Sequence, residues 1–265
     1  MNYRHDVLES LTRMLKSRLS AENCSALRQW CAEPLAMLYR TNLRRLAQIY
    51  GSDKWGEHRY CDHYERHFAH LRKRRVILLE VGIGGYADPR SGGRSLRMWR
   101  RYFPYGRIYG IDISDKSPHN ERRIHTFRGD QSDAQFLADV IGQIGRPDII
   151  IDDGSHINSH VIKTFEVLFP CLADDGIYAV EDTQTSYWPS FGGDSDNLNS
   201  TSTSMGMLKR LVDGLNYAEF IHPGYVPSYS DEHIVAMHFY HNLAFICKGA
   251  NNEGSNIVVN NMPPR

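Results

Sequence analysis

The sequence predicts an α/β fold, in which a sheet of mainly parallel strands is covered by helices and ends in an antiparallel hairpin. From Arg75 onward, short apolar runs rich in β-formers alternate with helical patterns, the order typical of a parallel sheet between two helical layers. Two further apolar runs begin at His233 and Leu243 and are separated by a two-residue link, the length of a hairpin turn. Residues 5–48 place apolar side chains at helical spacing, so a helical segment is expected before the sheet.

The N-terminal segment is expected to contain two or three helices, interrupted by polar residues around Ser20–Ser25 and by Pro34. Their apolar faces have to pack on the following domain or on a second copy of the chain. A homo-oligomer formed through these helices is therefore one expectation. The resulting domain organisation is a helical segment at residues 1–48, a main domain at residues 49–250 and a C-terminal tail at residues 251–265.

Five strands are expected in the parallel part of the sheet. They are Val76–Gly82, Arg107–Ile113, Arg123–Gly129, Asp148–Gly154 and Gly176–Asp182. Helical patterns lie between them at about residues 93–103, 132–144 and 157–171. The polar run Ser190–Gly206, rich in glycine and serine, is typical of a mobile loop or lid.

Composition and charge exclude several classes of partner. The 31 lysine and arginine residues balance 31 aspartate and glutamate residues, so no basic field is available to hold a nucleic-acid backbone or an anionic membrane surface. The five cysteines are scattered without a metal-binding spacing, which is typical of reduced thiols. No signal-peptide core or membrane-spanning apolar stretch is present in the sequence, so a cytoplasmic protein is expected.

A glycine turn follows the first predicted strand. Gly82, Gly84 and Gly85 stand where that strand should end, and the missing side chains let the backbone bend sharply and approach a ligand. A nicotinamide fingerprint would need an uninterrupted helix start at this point. Asp88 and Pro89 follow the glycines instead, which disfavours a dinucleotide.

Three acidic residues close successive strands of the predicted sheet. Glu80 lies two positions before the first glycine, Asp112 ends the second strand and Asp130 follows the third. Carboxylates at these positions suit the amino group, ribose hydroxyls and adenine of S-adenosylmethionine, and all three face one crevice because ligands of open α/β sheets bind outside the carboxyl ends of the strands. Taken singly, Asp112 and Asp130 are equally typical of turn or helix N-cap residues.

A second acidic cluster follows the fourth and fifth strands, in the stretches IDDGSH and VEDTQ. These carboxylates and one imidazole would repel strongly if they were left unpaired, so a hard cation such as Mg²⁺ is expected among them. Asp153, Glu181 and Asp182 are assigned as metal ligands, while Asp152 is assigned to the cofactor. A structural alternative makes Asp152 and Glu181 helix-cap or salt-bridge partners of nearby arginines.

His156 lies three residues after Asp153 and could take a proton from a substrate hydroxyl, because an unperturbed imidazole titrates close to neutral pH. The structural alternative is an N-cap or a buried, hydrogen-bonded histidine.

The segment Tyr50–Phe68 either closes over the cofactor or is simply an amphipathic helix with a capped start. The aromatic residues Tyr187 and Trp188, with the nearby Phe191, either form a stacking wall for a sugar or belong to the core.

Three stretches of the sequence resemble metal-dependent sugar O-methyltransferases. They are LLEVGIGGYADPRSGGRSLRMW, IDDGSHINSHVI and VEDTQTSYWPSFGG, and the resemblance runs from about Leu46 to Gly249. It implies a class I methyltransferase sheet, which is Rossmann-like, with S-adenosylmethionine as cofactor and Mg²⁺ as metal. It also implies a sugar-containing small molecule or saccharide as substrate.

The resemblance also carries roles over to individual positions. The second aspartate of DDGSH and the Glu-Asp pair of EDTQ imply Mg²⁺ ligands at Asp153, Glu181 and Asp182, and the histidine of DDGSH implies a general base at His156. The implied cofactor positions are Glu80, Gly82, Asp112 and Asp130.

Two other functions compete with sugar O-methylation at this stage. They are an NAD-dependent sugar oxidoreductase and a non-catalytic cofactor-binding subunit.

Overall fold

The computed structural model describes residues 32–256, which form a seven-stranded sheet in the order β3-β2-β1-β4-β5-β7-β6. Strands β1 to β5 are parallel, and β7 pairs antiparallel with both β5 and β6. The predicted α/β fold with a C-terminal hairpin is therefore confirmed. The strands are β1 (Ile77–Val81), β2 (Arg107–Asp112), β3 (Ile124–Arg128), β4 (Ile149–Asp152), β5 (Ile177–Glu181), β6 (Ile234–Tyr240) and β7 (Leu243–Lys248).

Helices connect and cover these strands. Residues 32–38 are helical, and the seven helices that follow them are α1 (Leu43–Tyr50), α2 (Tyr60–Phe68), α3 (Arg94–Tyr102), α4 (Ala134–Ile144), α5 (Asn158–Leu168), α6 (Ser204–Gly214) and α7 (Tyr229–His233). The three helical patterns expected between the strands correspond to α3, α4 and α5. Asp133 shows why α4 begins where it does, since its carboxylate accepts from the backbone N–H groups of Gln135 and Phe136.

The sheet separates two apolar cores. On one face, α1, α2 and α3 pack Leu46, Phe68 and Trp99 against the strands, and on the other face α4, α5 and α6 contribute side chains such as Leu137 and Phe165. Strand β4, with the sequence IIID, is buried at every position because both of its faces are covered. This double covering leaves the carboxyl ends of the strands as the place where polar residues meet.

Part of the predicted N-terminal segment packs against the main domain. Helix α1 crosses the predicted boundary between residues 48 and 49, and Leu43 and Leu46 lie fully buried in the same core as the sheet. The helices predicted before residue 32, the expected contact between copies and the part of the tail after residue 256 lie outside the described residues. Within residues 32–256, no helix is both long and apolar enough to cross a membrane, and Cys61, Cys171 and Cys247 are free thiols.

The run expected to be a mobile loop or lid, Ser190–Gly206, is fastened near both of its ends. The Asn158 amide donates to the backbone carbonyls of Thr185 and Phe191, and its oxygen accepts from the backbone N–H of Ser204. Asn158 is 1% exposed, so this side chain pins the run from inside the protein. Helix α6 begins at Ser204, which makes the last residues of the run helical.

Candidate active site

The glycine turn lies directly against the loop after β4. The backbone N–H of Gly82 donates to the carbonyl of Ile111, and Asp153 N–H donates to the carbonyl of Val81. Gly82 has a φ of +88°, and a Cβ built there would lie 1.9 Å from the Asp153 carbonyl oxygen. Only glycine fits at this position, because a side chain would displace the backbone that carries Asp153.

The same turn folds back on the start of α3. Gly84 and Gly85 both have positive φ angles, and a Cβ on Gly85 would lie 2.2 Å from the carbonyl carbon of Ser91. The ammonium of Lys116 holds this loop by donating to the carbonyls of Tyr86, Asp88 and Ser91. The turn after β1 is thus a fixed structure, while the cofactor contacts expected of its glycines stay a prediction.

Asp112 and Asp130 both bond to nearby backbone. The Asp112 carboxylate accepts from the N–H groups of Ser114 and Ile83, so it ties the end of β2 to the glycine turn. Asp130 accepts from the backbone N–H and the hydroxyl of Ser132, and these hydrogen bonds lower the pKa of Asp130. These contacts are the turn arrangement that the sequence left open for both residues. Contact with ribose or adenine stays a prediction.

Glu80 lies inside the protein. Its side chain is 0% exposed, and it accepts from the Ser95 hydroxyl at 2.8 Å and the Trp99 indole N–H at 3.3 Å. The third partner is the Lys54 ammonium, 3.3 Å from Glu80 Oε1. Burial raises the pKa of Glu80, while Lys54 opposes that effect. Glu80 therefore lies beneath the carboxyl ends of the strands, and its contact with the cofactor stays a prediction.

Asp152 ends β4 and is 2% exposed. Its Oδ1 accepts from the Gln131 amide at 3.2 Å, whereas Oδ2 is a buried oxygen without a hydrogen-bond partner in the described part of the chain. Burial raises the pKa of Asp152 to about 7. The partner of Asp152 is thus a glutamine and not the arginine or helix cap of the structural alternative. A buried acceptor that lacks a partner fits a donor group on a ligand.

Asp153, His156 and Asp182 come together at the edge of the sheet. One ligand atom of each lies within 4.8 Å of the others, and the His156 Nε2 is 3.6 Å from Asp182 Oδ2. His156 is one quarter exposed and lies one residue before Ile157, the N-cap of α5. His156 is therefore neither a helix N-cap nor a buried histidine, and both structural alternatives left open by the sequence are wrong.

His156 and Asp182 also share an unusual backbone conformation. Their φ angles are +58° and +52°, in the left-handed region that non-glycine residues rarely adopt. Each such conformation costs roughly 1–2 kcal/mol, which the surrounding loops have to supply. Two strained residues on neighbouring strand ends, with their side chains in one cluster, are typical of a functional site.

Glu181 belongs to a second, deeper cluster with Glu80 and Asp153, whose ligand oxygens lie within 4.8 Å of one another. Glu181 Oε1 accepts from the Lys54 ammonium at 2.6 Å and from the Tyr64 hydroxyl. Burial raises the pKa of Glu181 well above its usual range, and the nearby Asp153 adds to the effect. Asp153 belongs to both clusters, so it links the exposed cluster to the buried one.

The donor set fits a hard divalent cation. The two clusters offer carboxylate oxygens and one imidazole, and no thiol belongs to either cluster. Oxygen donors of this kind suit Mg²⁺ better than zinc. The three residues assigned from the sequence, Asp153, Glu181 and Asp182, lie on two adjacent strand ends but are divided between the two clusters, and their joint role as ligands stays a prediction.

Several site residues were not identified from the sequence, and most come from the segment Tyr50–Phe68. Its Lys54 reaches Asp153 and Glu181, Tyr60 donates to Asp182 Oδ1 at 2.8 Å, and the His58 Nε2 lies 3.8 Å from the same oxygen. The segment contains a helix, α2, and also packs over the strand ends. The sequence signal that could have found them is the polar triplet Ser52, Asp53 and Lys54, but neither charge nor spacing shows where the lysine side chain points.

The aromatic residues after β5 are not core residues. Tyr187 is 37% exposed and Trp188 is 48% exposed. Trp188 lies 5.9 Å from the Phe191 ring, centroid to centroid. The exposure of these two large rings, in the segment that follows Asp182 along the chain, agrees with the stacking wall and excludes the core alternative for these two residues.

The sheet order, with β7 inserted antiparallel between β5 and β6, together with the glycine turn after β1, is that of a class I methyltransferase. A solved structure of this class matches with a TM-score of 0.78 and 48% identity, covering 80% of this chain and 55% of the other. It is the MycE methyltransferase from the mycinamycin biosynthetic pathway, in complex with Mg, SAH and mycinamycin VI. No family model matches the chain.

Curated relatives identify the family. The 8-demethyl-8-α-L-rhamnosyl tetracenomycin-C 2'-O-methyltransferase of Streptomyces olivaceus is 53% identical over 210 residues, covering 79% of this chain and 55% of that protein. The demethylmacrocin O-methyltransferase of Streptomyces fradiae is 50% identical over 217 residues, covering 81% of this chain and 55% of that protein. Over the matched region the chain belongs to the sugar O-methyltransferases, which confirms the predicted resemblance. The chain spans about half the length of these relatives.

Proposed function

We propose that this chain transfers the methyl group of S-adenosylmethionine to a sugar hydroxyl of a glycosylated natural product, with Mg²⁺ as the metal. The observation that carries the proposal is the cluster of Asp153, His156 and Asp182 at the edge of the sheet, next to the Gly82 turn. A base and acidic metal ligands beside a close-approach glycine turn are what metal-assisted methyl transfer to a hydroxyl requires. The relatives support the choice of a sugar as the acceptor.

The cofactor would lie in the crevice at the carboxyl ends of β1, β2 and β4. The turn of Gly82, Gly84 and Gly85 offers backbone at close range. Asp152 offers a buried oxygen without a partner among residues 32–256. Such an oxygen can accept from the amino group of the cofactor's methionine end, because a buried acceptor gains most from a new donor. The MycE complex contains SAH, the demethylated cofactor, which supports this assignment.

The metal would be held by Asp153, Glu181 and Asp182. A bound divalent cation lowers the pKa of a coordinated hydroxyl and fixes its direction. Asp153 and Asp182 are about one fifth exposed on their side chains, so they are accessible to a substrate, whereas the Glu181 side chain is 2% exposed. The two aspartates therefore face the acceptor side, and Glu181 supports the site from behind.

His156 would take the proton of the acceptor hydroxyl on its Nε2 atom. Its side chain is partly exposed, so an acceptor can approach the ring. The Asp182 carboxylate, 3.6 Å away, stabilises the imidazolium that forms when the proton arrives. The oxygen left behind can then attack the methyl group in line with its departure from sulfur, and positioning of the two reactants supplies much of the rate.

The acceptor would stack on the aromatic surface of Tyr187 and Trp188. Flat aromatic rings bind the apolar faces of sugars or polyketides, and these two rings are exposed in the segment that follows Asp182 along the chain. The MycE complex contains mycinamycin VI, and the relatives are named for a rhamnosyl tetracenomycin and for demethylmacrocin, which supports a glycosylated small molecule. We further propose that the protein is cytoplasmic and that it forms a homo-oligomer through the N-terminal segment.

The deciding experiment is a calorimetric titration with S-adenosylhomocysteine and, in parallel, with NADH, each in Mg²⁺ and in EDTA. Micromolar binding of S-adenosylhomocysteine alone is the expected result, followed by Mg²⁺-dependent methyl transfer to a panel of glycosylated acceptors. Binding of NADH in place of S-adenosylhomocysteine would reject the proposal in favour of an oxidoreductase. Cofactor binding without transfer to any acceptor of the panel would favour a non-catalytic subunit.

A further inference from the structure

A lysine lies at the centre of the buried carboxylate cluster. The Lys54 ammonium is 2.7 Å from Asp153 Oδ2, 2.6 Å from Glu181 Oε1 and 3.3 Å from Glu80 Oε1. Its side chain is 0% exposed, and its three partners lie at the ends of β4, β5 and β1. One side chain from the segment before the sheet therefore joins three strand ends.

The charges of this cluster are not balanced by the lysine alone. Three carboxylates and one ammonium leave a formal charge of −2 if all four groups are ionised, in a region closed to water except on the Asp153 side. Burying uncompensated charge is costly, because water no longer screens the repulsion. A divalent cation next to Asp153 and Glu181 would balance the remaining charge, and it is the cation that the proposed function requires.

The Lys54 ammonium contacts only one oxygen of the Asp153 carboxylate and one of the Glu181 carboxylate. It contacts Oδ2 of Asp153 and Oε1 of Glu181, and the Tyr64 hydroxyl bonds to that same Oε1. These contacts fix the rotation of both carboxylates while the second oxygen of each takes no part in them. Hydrogen bonds also fix the backbone of Lys54. Its N–H donates to the Ser52 hydroxyl, and its carbonyl accepts from Cys61 N–H at the start of α2.

We propose that Lys54 is a positioning residue that acts as the internal counter-ion of the metal site. It neutralises part of the charge of Asp153 and Glu181 before the divalent cation arrives, and it shares the charge of these carboxylates with the bound cation. This inference rests on the proposed function, because it takes the metal of that function as the second cation. Apart from Glu80, Lys54 touches no residue assigned to the cofactor in the described contacts, and it does not touch His156, so its effect is exerted through the carboxylates.

A second buried lysine shows what a purely structural role looks like. Lys248 is 3% exposed and donates to the carbonyls of Phe169, Pro170 and Leu172 at the opposite edge of the sheet. Its acceptors are neutral and lie outside both carboxylate clusters. Loss of this ammonium should therefore destabilise the fold by an amount that does not depend on divalent cations, which makes Lys248→Met the matched control.

The test compares Lys54→Met with Lys248→Met and the wild-type protein by thermal unfolding in EDTA and in saturating Mg²⁺. Removing one partner of a buried charge cluster should lower the Tm of Lys54→Met by roughly 10 °C in EDTA. Because the cation compensates the same carboxylates, Mg²⁺ should restore at least half of that loss. The deficit of Lys248→Met should be the same in both conditions. The Mg²⁺-induced rise in Tm is thus expected to be larger in Lys54→Met than in the wild type.

Other outcomes separate this inference from the proposed function. If the wild type responds to Mg²⁺ but the deficit of Lys54→Met is equal in EDTA and Mg²⁺, Lys54 is only structural and the inference is overturned. If no protein responds to Mg²⁺, the metal site fails, and with it the inference and the metal part of the proposed function. Should Lys54→Met not fold in either condition, the double variant with Glu80→Gln removes one negative charge as well. Rescue supports the role as counter-ion, and failure to rescue overturns it.

Discussion

Replacing Gly82 by alanine should damage both stability and the site, since the turn after β1 packs backbone against backbone. The added Cβ would lie 1.9 Å from the carbonyl oxygen and 2.6 Å from the carbonyl carbon of Asp153, and 2.8 Å from the Cα of Gly154. Neither of these residues can give way by a side-chain rotation. The φ of +88° adds a conformational penalty of roughly 1–2 kcal/mol for a residue with a Cβ.

The total loss follows from the two effects together. Overpacking of a close contact costs roughly 1–3 kcal/mol, so Gly82→Ala should lose about 2–5 kcal/mol of unfolding free energy. For a domain of this size, that corresponds to a fall in Tm on the order of 10 °C. The displaced backbone carries Asp153, so the variant should also lose most of the Tm rise caused by Mg²⁺ and bind S-adenosylhomocysteine at least tenfold more weakly.

The measurements are urea unfolding, thermal unfolding with and without Mg²⁺, and calorimetry with S-adenosylhomocysteine. Gly142→Ala is the control, since Gly142 lies in α4 and an added Cβ would meet no atom within 4 Å among residues 32–256. That variant should be as stable as the wild type or more stable by up to about 1 kcal/mol, because alanine favours a helix. A Gly82→Ala protein with wild-type stability and ligand affinity would refute the close-packing argument.

Three further substitutions test the chemistry and the packing. His156→Ala should keep the affinity for S-adenosylhomocysteine and lower kcat by a factor on the order of 100 or more; unchanged turnover would remove His156 from the proton transfer. Asp153→Asn should weaken Mg²⁺ binding in calorimetry, and wild-type metal dependence would contradict its role as a ligand. His67 is 9% exposed, and burial lowers its pKa from 6.5 to about 4. The unfolded chain therefore takes up a proton at this residue before the folded one, so wild-type stability should fall as the pH drops from about 6.5 to 4, by at most about 3 kcal/mol from this group. His67→Phe should make that fall smaller in urea unfolding curves, and parallel curves for the two proteins would refute the assignment.

The sequence was sufficient to predict the parts of the site that depend on strand ends. Alternating apolar runs located the strands, and in a parallel sheet the residues after each strand meet at one edge. The sequence pattern therefore places Asp153, His156 and Asp182 together, as the structure does. The glycine spacing likewise located the turn at Gly82, whose close approach to the β4 loop then follows from its missing side chain.

The partners of the buried carboxylates could not be predicted in this way. Glu80 alternates onto the face covered by α2 and α3, but its partners Ser95 and Trp99 lie on a helix whose rotation depends on packing. Gln131 lies in the loop after β3 and donates to Asp152, and no pattern in the sequence indicates that contact. Lys54 lies before the sheet in a segment where polar and aromatic residues alternate without a clear period. Pairings of this kind depend on tertiary geometry, which local patterns do not specify.

The separation of Lys54 from its partners along the chain has a consequence for folding. Its contacts with Asp153 and Glu181 span 99 and 127 residues, so they close long loops in the domain. Contacts of this length are slow to form, because the entropy of ordering the intervening chain is lost before they contribute any stability. On a ribosome, the buried cluster can be completed only after β5 has emerged and paired. Uptake of a divalent cation should therefore report a late stage of folding, and a refolding protein should acquire its sheet signal before it acquires its response to Mg²⁺.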